Sequence, residues 1–194
     1  MRDKILKIKK WHSILSSIIF FCVLGFCVWT VNKKITQISL SQFGIEDNTS
    51  IIWNLVLFLV GIFLYLESMK NIYKHLLEIP KFLPKLFGIS SICLVLTALF
   101  NMDYQVHNIV AFLYFLGYTL SIFLFGKYLL KYNFRIGMIS IIISILSMLI
   151  PSFLVYKIDG LAIPEICHAV FIFMWVVVMS WENEIKNILK IFGF

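Results

Sequence analysis

Two short stretches hold residues whose types and spacing could do chemistry. "NMDYQVHN" places Asp103 four residues before His107, and "PEICHA" places Glu165 three residues before His168. A carboxylate beside an imidazole can pass protons to and from a substrate. The same groups can hold a metal. Glu-x-x-His on a helix is the ligand pattern of di-iron and di-manganese bundles, and imidazole with carboxylate suits zinc. A metal set would comprise His107, His168, Glu165 and Asp103, with zinc, or iron or manganese, as the ion. Those bundles draw further glutamates from other helices, however, and no other apolar segment has an acid in its interior. A reading with no cofactor therefore stands beside the metal one.

Each residue also has a plainer role. Glu165 in a first helical turn is favoured by the helix dipole. His168 could donate a hydrogen bond to a loop carbonyl. His107 with Asn108 could cap the start of a helix. Asp103 could be a solvated loop acid.

The elements that position these residues follow from composition. The chain has 194 residues, 61% hydrophobic and only 14% charged. Its mean hydropathy is +0.94. A soluble domain carries about 25% charged residues, and one of this size could not hide so much apolar surface. Six stretches are long enough to cross about 30 Å of hydrocarbon as helices: 13–31, 51–68, 86–102, 108–127, 136–156 and 164–181. Their apolar residues run all round the helix and do not alternate as barrel strands would. The sequence predicts an all-α integral membrane protein, one six-helix bundle over 1–194.

Charge sets the expected orientation. Fourteen of the 17 Lys and Arg residues flank the helices on one side, and only Lys33, Lys34 and Lys157 lie on the other. The positive-inside rule places both termini in the cytoplasm, and the two His/carboxylate stretches on the extracytoplasmic side. Basic residues so distributed report topology and attraction to anionic lipid, not nucleic-acid binding. The Lys/Ile/Phe-rich composition suggests an AT-rich genome and a prokaryotic cell membrane.

Other residues read as structure. Cys22, Cys27 and Cys93 suit packing, and no CxxC pair occurs. Gly117 with Ser121, and Ser140 with Ser144, are small-xxx-small pairs that let helices approach closely. Pro151 should kink the fifth helix, and Pro164 suits the first position of the sixth. Pro80 and Pro84 bracket a cytoplasmic turn, before which "LESMKNIYKHLLEI" could extend the second helix. Trp11, Trp29, Trp53 and Trp181 fall near predicted boundaries, as an aromatic belt would place them. Asn54 lies one turn below the outer surface. A buried amide in lipid needs partners, and His107 or His168 could supply them.

Three pieces of the chain resemble a known family. The first is "ITQISLSQFGIEDNTSIIWNLVLFLVGI", with Ile38-Ser39, a Gly44 turn, Asn54 and Gly61. The second is "LFGISSICLVLTALFNMDYQVHNIVAFLYFLG", with His107 in a short outer loop and Ala111 following. The third is the sixth helix, opening with His168-Ala169 and carrying Phe171 and Phe173. Together they resemble the bacterial and archaeal membrane family known as domain of unknown function 998. That family is distantly similar to eukaryotic proteins of GPI-anchor lipid remodelling and autophagy modulation. The resemblance covers about residues 10–182. Ala98 and Asn101 stand where the family's third helix usually ends in a Gly-Phe-Pro-like turn, while Asp103 remains. It implies six helices and an outer-face His pair, and supplies no reaction.

The expected function is a membrane protein that binds lipid or assists another membrane protein, through a polar His/carboxylate pocket at the extracytoplasmic face. Asn54, Asp103, His107, Asn108, Glu165 and His168 are its candidate ligand-binding residues. Membrane lipid is the expected partner, with a second copy or another membrane protein alongside. The alternative is a membrane-embedded enzyme acting on lipid headgroups. A small transporter ranks third, because transporters place ionisable residues or broken helices at mid-membrane, and only Pro151 breaks a span here.

Overall fold

The structure, a computed structural model, describes residues 2–31, 33–68, 80 and 82–191, and side chains within 14–31, 33–68, 80 and 82–179. Six helices are present: α1 (Arg2–Val31), α2 (Ser50–Glu67), α3 (Phe82–Leu99), α4 (Val106–Leu129), α5 (Phe134–Lys157) and α6 (Ala162–Ile191). No strand occurs among the described residues. Each helix contains a window long and apolar enough to cross a bilayer. The protein is thus a multi-pass integral membrane protein.

The helices pack in chain order, each against the next. α1 closes the ring on α6, and α4 also reaches α6. Ile51, Ile109, Phe112 and Phe153 are among the many large apolar side chains left on the outside. In lipid this costs nothing, so packing and hydrogen bonds rather than water exclusion hold the helices together. Close approach is visible where expected: a Cβ added to Gly117 would lie 2.2 Å from Ser90 Oγ across the α3–α4 seam. The centre of the bundle is an aromatic stack. Phe87 meets Tyr118 with ring centroids 4.6 Å apart, and both Phe87 and Phe125 contact Trp175 at 5.5 Å.

Several boundaries differ from the sequence reading, each for a local reason. α3 starts at Phe82, so Pro84 lies inside its first turn, where the first amides have no helical acceptor and a proline removes nothing. The same logic lets α6 begin at Ala162, with Pro164 two residues further in. α5 runs on through Pro151 to Lys157. At its start, Asn133 Oδ1 accepts from the Ile136 amide at 3.3 Å. α4 begins at Val106, which moves His107 from the loop into the helix, where it is buried. Trp29 is 81% exposed, as a belt residue would be, whereas Trp53 is 1% exposed and belongs to the core. The side chains of Trp11 and Trp181, and the extension of α2 beyond Ser68, fall outside the described residues.

Candidate functional site

The segment between α1 and α2 folds back as a cap over one end of the bundle. It contains two short 3-10 turns, Ile35–Gln37 and Leu40–Gly44. Its apolar residues point inward: Ile38, Leu40 and Phe43 are buried, and the Phe43 ring stacks edge-on against Trp53 at 5.4 Å.

Polar groups then fix the cap from every side. The amides of Gly160 and Ala162 donate to the carbonyls of Thr36 and Ile38, each at 2.8 Å. Only glycine permits this at position 160, because a Cβ there would lie 2.6 Å from the backbone N and O of Ile38. Thr49 Oγ1 donates to Phe43 O at 2.9 Å. Asn54 Nδ2 donates to Gly44 O at 3.0 Å, so its partner is a cap carbonyl and neither histidine. Glu165 Oε2 accepts from the Leu40 amide at 2.7 Å. Lys33 pairs with Glu46 at the exposed rim.

His107 links three parts of this end. Its Nδ1 lies 2.5 Å from Phe100 O and its Nε2 2.8 Å from Ser41 Oγ. A carbonyl can only accept, so Nδ1 carries a proton and donates; in the neutral ring, Nε2 then accepts from the Ser41 hydroxyl. The imidazole thereby ties the α3–α4 turn to the cap.

His168 does something different. It lies six residues into α6, about 9 Å along the helix axis, and turns toward α4. Its Nε2 is 3.1 Å from Thr119 Oγ1, while Nδ1 is buried with no hydrogen-bond partner. Thr119 Oγ1 also meets Ser147 Oγ at 3.3 Å, and Ser144 Oγ donates to Thr119 O at 2.9 Å. Deeper in the same seam, Trp175 Nε1 donates to Ser140 Oγ at 2.9 Å. The hydroxyls of the small-residue row therefore bond across helices as well as making room.

Glu165 and His168 thus share a helix but engage different neighbours. Asp103 and Asn108 are exposed. Among the described residues, no three His, Cys, Asp or Glu side chains gather as a metal-binding group. The proposed set of His107, His168, Glu165 and Asp103 is not brought together, because both His107 nitrogens and one Glu165 oxygen are already engaged by the cap and its supports.

Beneath the cap lies a cavity of about 40 Å³, lined from all helices except α5 and from the cap itself. Its wall is mainly apolar and aromatic, with Phe20, Trp53, Tyr114 and Phe115 prominent; Glu165, Ser41 and Thr97 supply polar edges. Of the six candidate ligand-binding residues, only Glu165 lines it. Ser41, which the sequence reading passed over, does too. Ser41 carries no motif, and its significance comes only from meeting His107, 66 residues away.

Six apolar helices, a folded cap and a carboxylate-bearing cavity define a polytopic bundle with a closed end. The sequence model described as "Protein of unknown function (DUF998)" matches residues 14–182. The chain belongs to that family. No curated protein and no solved structure matches it.

Proposed function

We propose that this protein binds membrane lipid and works as a lipid-sensing or accessory component of the membrane. On this reading the cap faces the extracytoplasmic side, as the distribution of Lys and Arg argues, and a lipid's polar end enters the cavity beneath it. The observation that carries the reading is the cavity wall: aromatic and aliphatic side chains from five helices around one carboxylate. Ligand sites have this make-up, a largely apolar lining with a few placed polar groups. The test is native mass spectrometry of protein purified in mild detergent. Wild type should retain phospholipid, and Ala111→Phe, which fills the cavity from its α4 wall, should retain less while melting as wild type does. Equal retention by both would remove the cavity from the account, and no retention by either would end the lipid reading.

One observation favours an enzymatic second reading. The Ser41 hydroxyl on the cavity wall lies 2.8 Å from an imidazole whose other nitrogen is held by a carbonyl. Nucleophile and base stand in that relation in hydroxyl-based acyl transfer. Covalent labelling of Ser41 by a fluorophosphonate, abolished in His107→Gln, supports that reading; an unlabelled Ser41 removes it.

A further inference from the structure

We infer that the cavity takes the primary ammonium end of an aminophospholipid, with the Glu165 carboxylate as its counter-ion. The inference rests on the lipid reading and narrows it to one headgroup chemistry.

Glu165 is partly buried. A carboxylate held away from bulk water is costly unless it is paired and hydrogen-bonded. Glu165 has one hydrogen bond, from the Leu40 amide to Oε2. Its other oxygen has no protein donor, and among the described residues no Lys, Arg or His stands within ion-pair distance of it. The cations of this end are engaged or turned away: Lys33 pairs with Glu46, Lys157 lies over the rings of Phe153 and Tyr156, and Lys34 is exposed on the outside. The single hydrogen bond fixes where the carboxylate sits and leaves its charge unpaired.

The rest of the wall selects for a cation. Phe20, Trp53, Tyr114 and Phe115 line the same space. Aromatic faces attract ammonium groups, and more strongly when water is excluded. An anionic headgroup would meet the carboxylate without a compensating donor. A metal ion would find Glu165 as the one acidic or imidazole side chain of the lining, and no group of three such ligands among the described residues.

Donor chemistry narrows the class further. A primary ammonium carries N–H groups that can donate to the free Glu165 oxygen, whereas a trimethylammonium carries none and a sugar brings no charge.

The experiment uses the full chain in detergent, titrated with phosphatidylethanolamine, phosphatidylcholine, phosphatidylglycerol and N-acetylated phosphatidylethanolamine. Binding is read by native mass spectrometry and by thermal shift. Phosphatidylethanolamine should bind about tenfold tighter than the other three, the range expected of one charge-assisted hydrogen bond. Glu165→Gln keeps an oxygen acceptor for the Leu40 amide, so it should keep the fold and lose only the preference. Lipid binding without headgroup preference, or a preference unchanged in Glu165→Gln, overturns the inference and leaves the lipid reading standing. Binding of no lipid overturns both. Free ethanolamine competing as well as glycerophosphoethanolamine and the intact lipid would assign the site to a soluble amine and overturn the lipid source.

Discussion

The two buried histidines sit in the same bundle and are equally hidden, at 4% exposure each, yet their surroundings do opposite things. His107, at the capped end, has both ring nitrogens matched, one to a carbonyl and one to a hydroxyl. His168, in the seam of α4, α5 and α6, has one nitrogen matched and the other orphaned. The first joins segments far apart in sequence and has no slack. The second sits among hydroxyls that already have other partners. Satisfaction of hydrogen bonds, not burial, separates a fastening from a tolerated polar residue. The difference extends to the regions. The cap end couples many long-range fastenings to a cavity, whereas the seam is a packed interior whose polar groups bond one another.

Substitutions can break or sharpen that contrast. The largest effect is expected in the seam. Trp175→Ala removes a fully buried ring that contacts Phe87 and Phe125 and bonds Ser140. It should cost about 3–5 kcal/mol, as other buried aromatic truncations do, read as a lowered midpoint of unfolding in detergent. A loss no greater than that of the cap variants would mean that the seam is not the packed interior described.

Next comes the cap. Gly160→Ala sets a Cβ against the Ile38 backbone, which cannot swing aside as a side chain would. It should cost about 1–3 kcal/mol and raise hydrogen exchange at the Leu40 and Ala162 amides while leaving amides in the middle of α5 unchanged. Uniform exchange across the chain would show that the cap is no separate unit.

The sharpest comparison is between the histidine partners. Ser41→Ala strands a buried imidazole nitrogen and should cost about 1–3 kcal/mol. His168→Phe with Thr119→Val removes both members of a half-satisfied pair and should fall within about 1 kcal/mol of wild type, since paired apolar replacement is nearly neutral. Matching losses in the two variants would erase the distinction between the histidines.

Much of the architecture was legible because membrane helices announce themselves by length and by apolar residues all round. The six spans and the family resemblance came from that signal. Boundaries shifted where local chemistry was ambiguous: Pro84 read as part of a turn and Pro164 as the first residue of its helix, but a first turn accepts a proline further in. The site was legible only in half. Asn54, His107 and Glu165 stand out as polar residues beside apolar runs, and all three fasten the cap. Their partners did not stand out, because three of them are main-chain groups, the Leu40 amide and the Gly44 and Phe100 carbonyls, and any residue supplies those. Glu165 reaches Leu40 across 125 residues, a pairing no spacing rule encodes. Thr119 and Ser147 were hidden for another reason. Hydroxyls in a helix can bond their own carbonyls, so their presence in a span does not point to a neighbour. Trp53 misled through the belt rule, which applies only where the helix end meets lipid headgroups and not a folded cap.

The most direct test of the account is a distance. Protein ¹³C-labelled at glutamate carboxyls, reconstituted with phosphatidylethanolamine carrying ¹⁵N in its headgroup, can be examined by rotational-echo double-resonance solid-state NMR. The account predicts one carboxyl carbon within about 4 Å of a lipid nitrogen, the separation of a charge-assisted N–H···O contact, and its disappearance in Glu165→Gln. Dephasing that persists in Glu165→Gln, or none in the wild type, would contradict it.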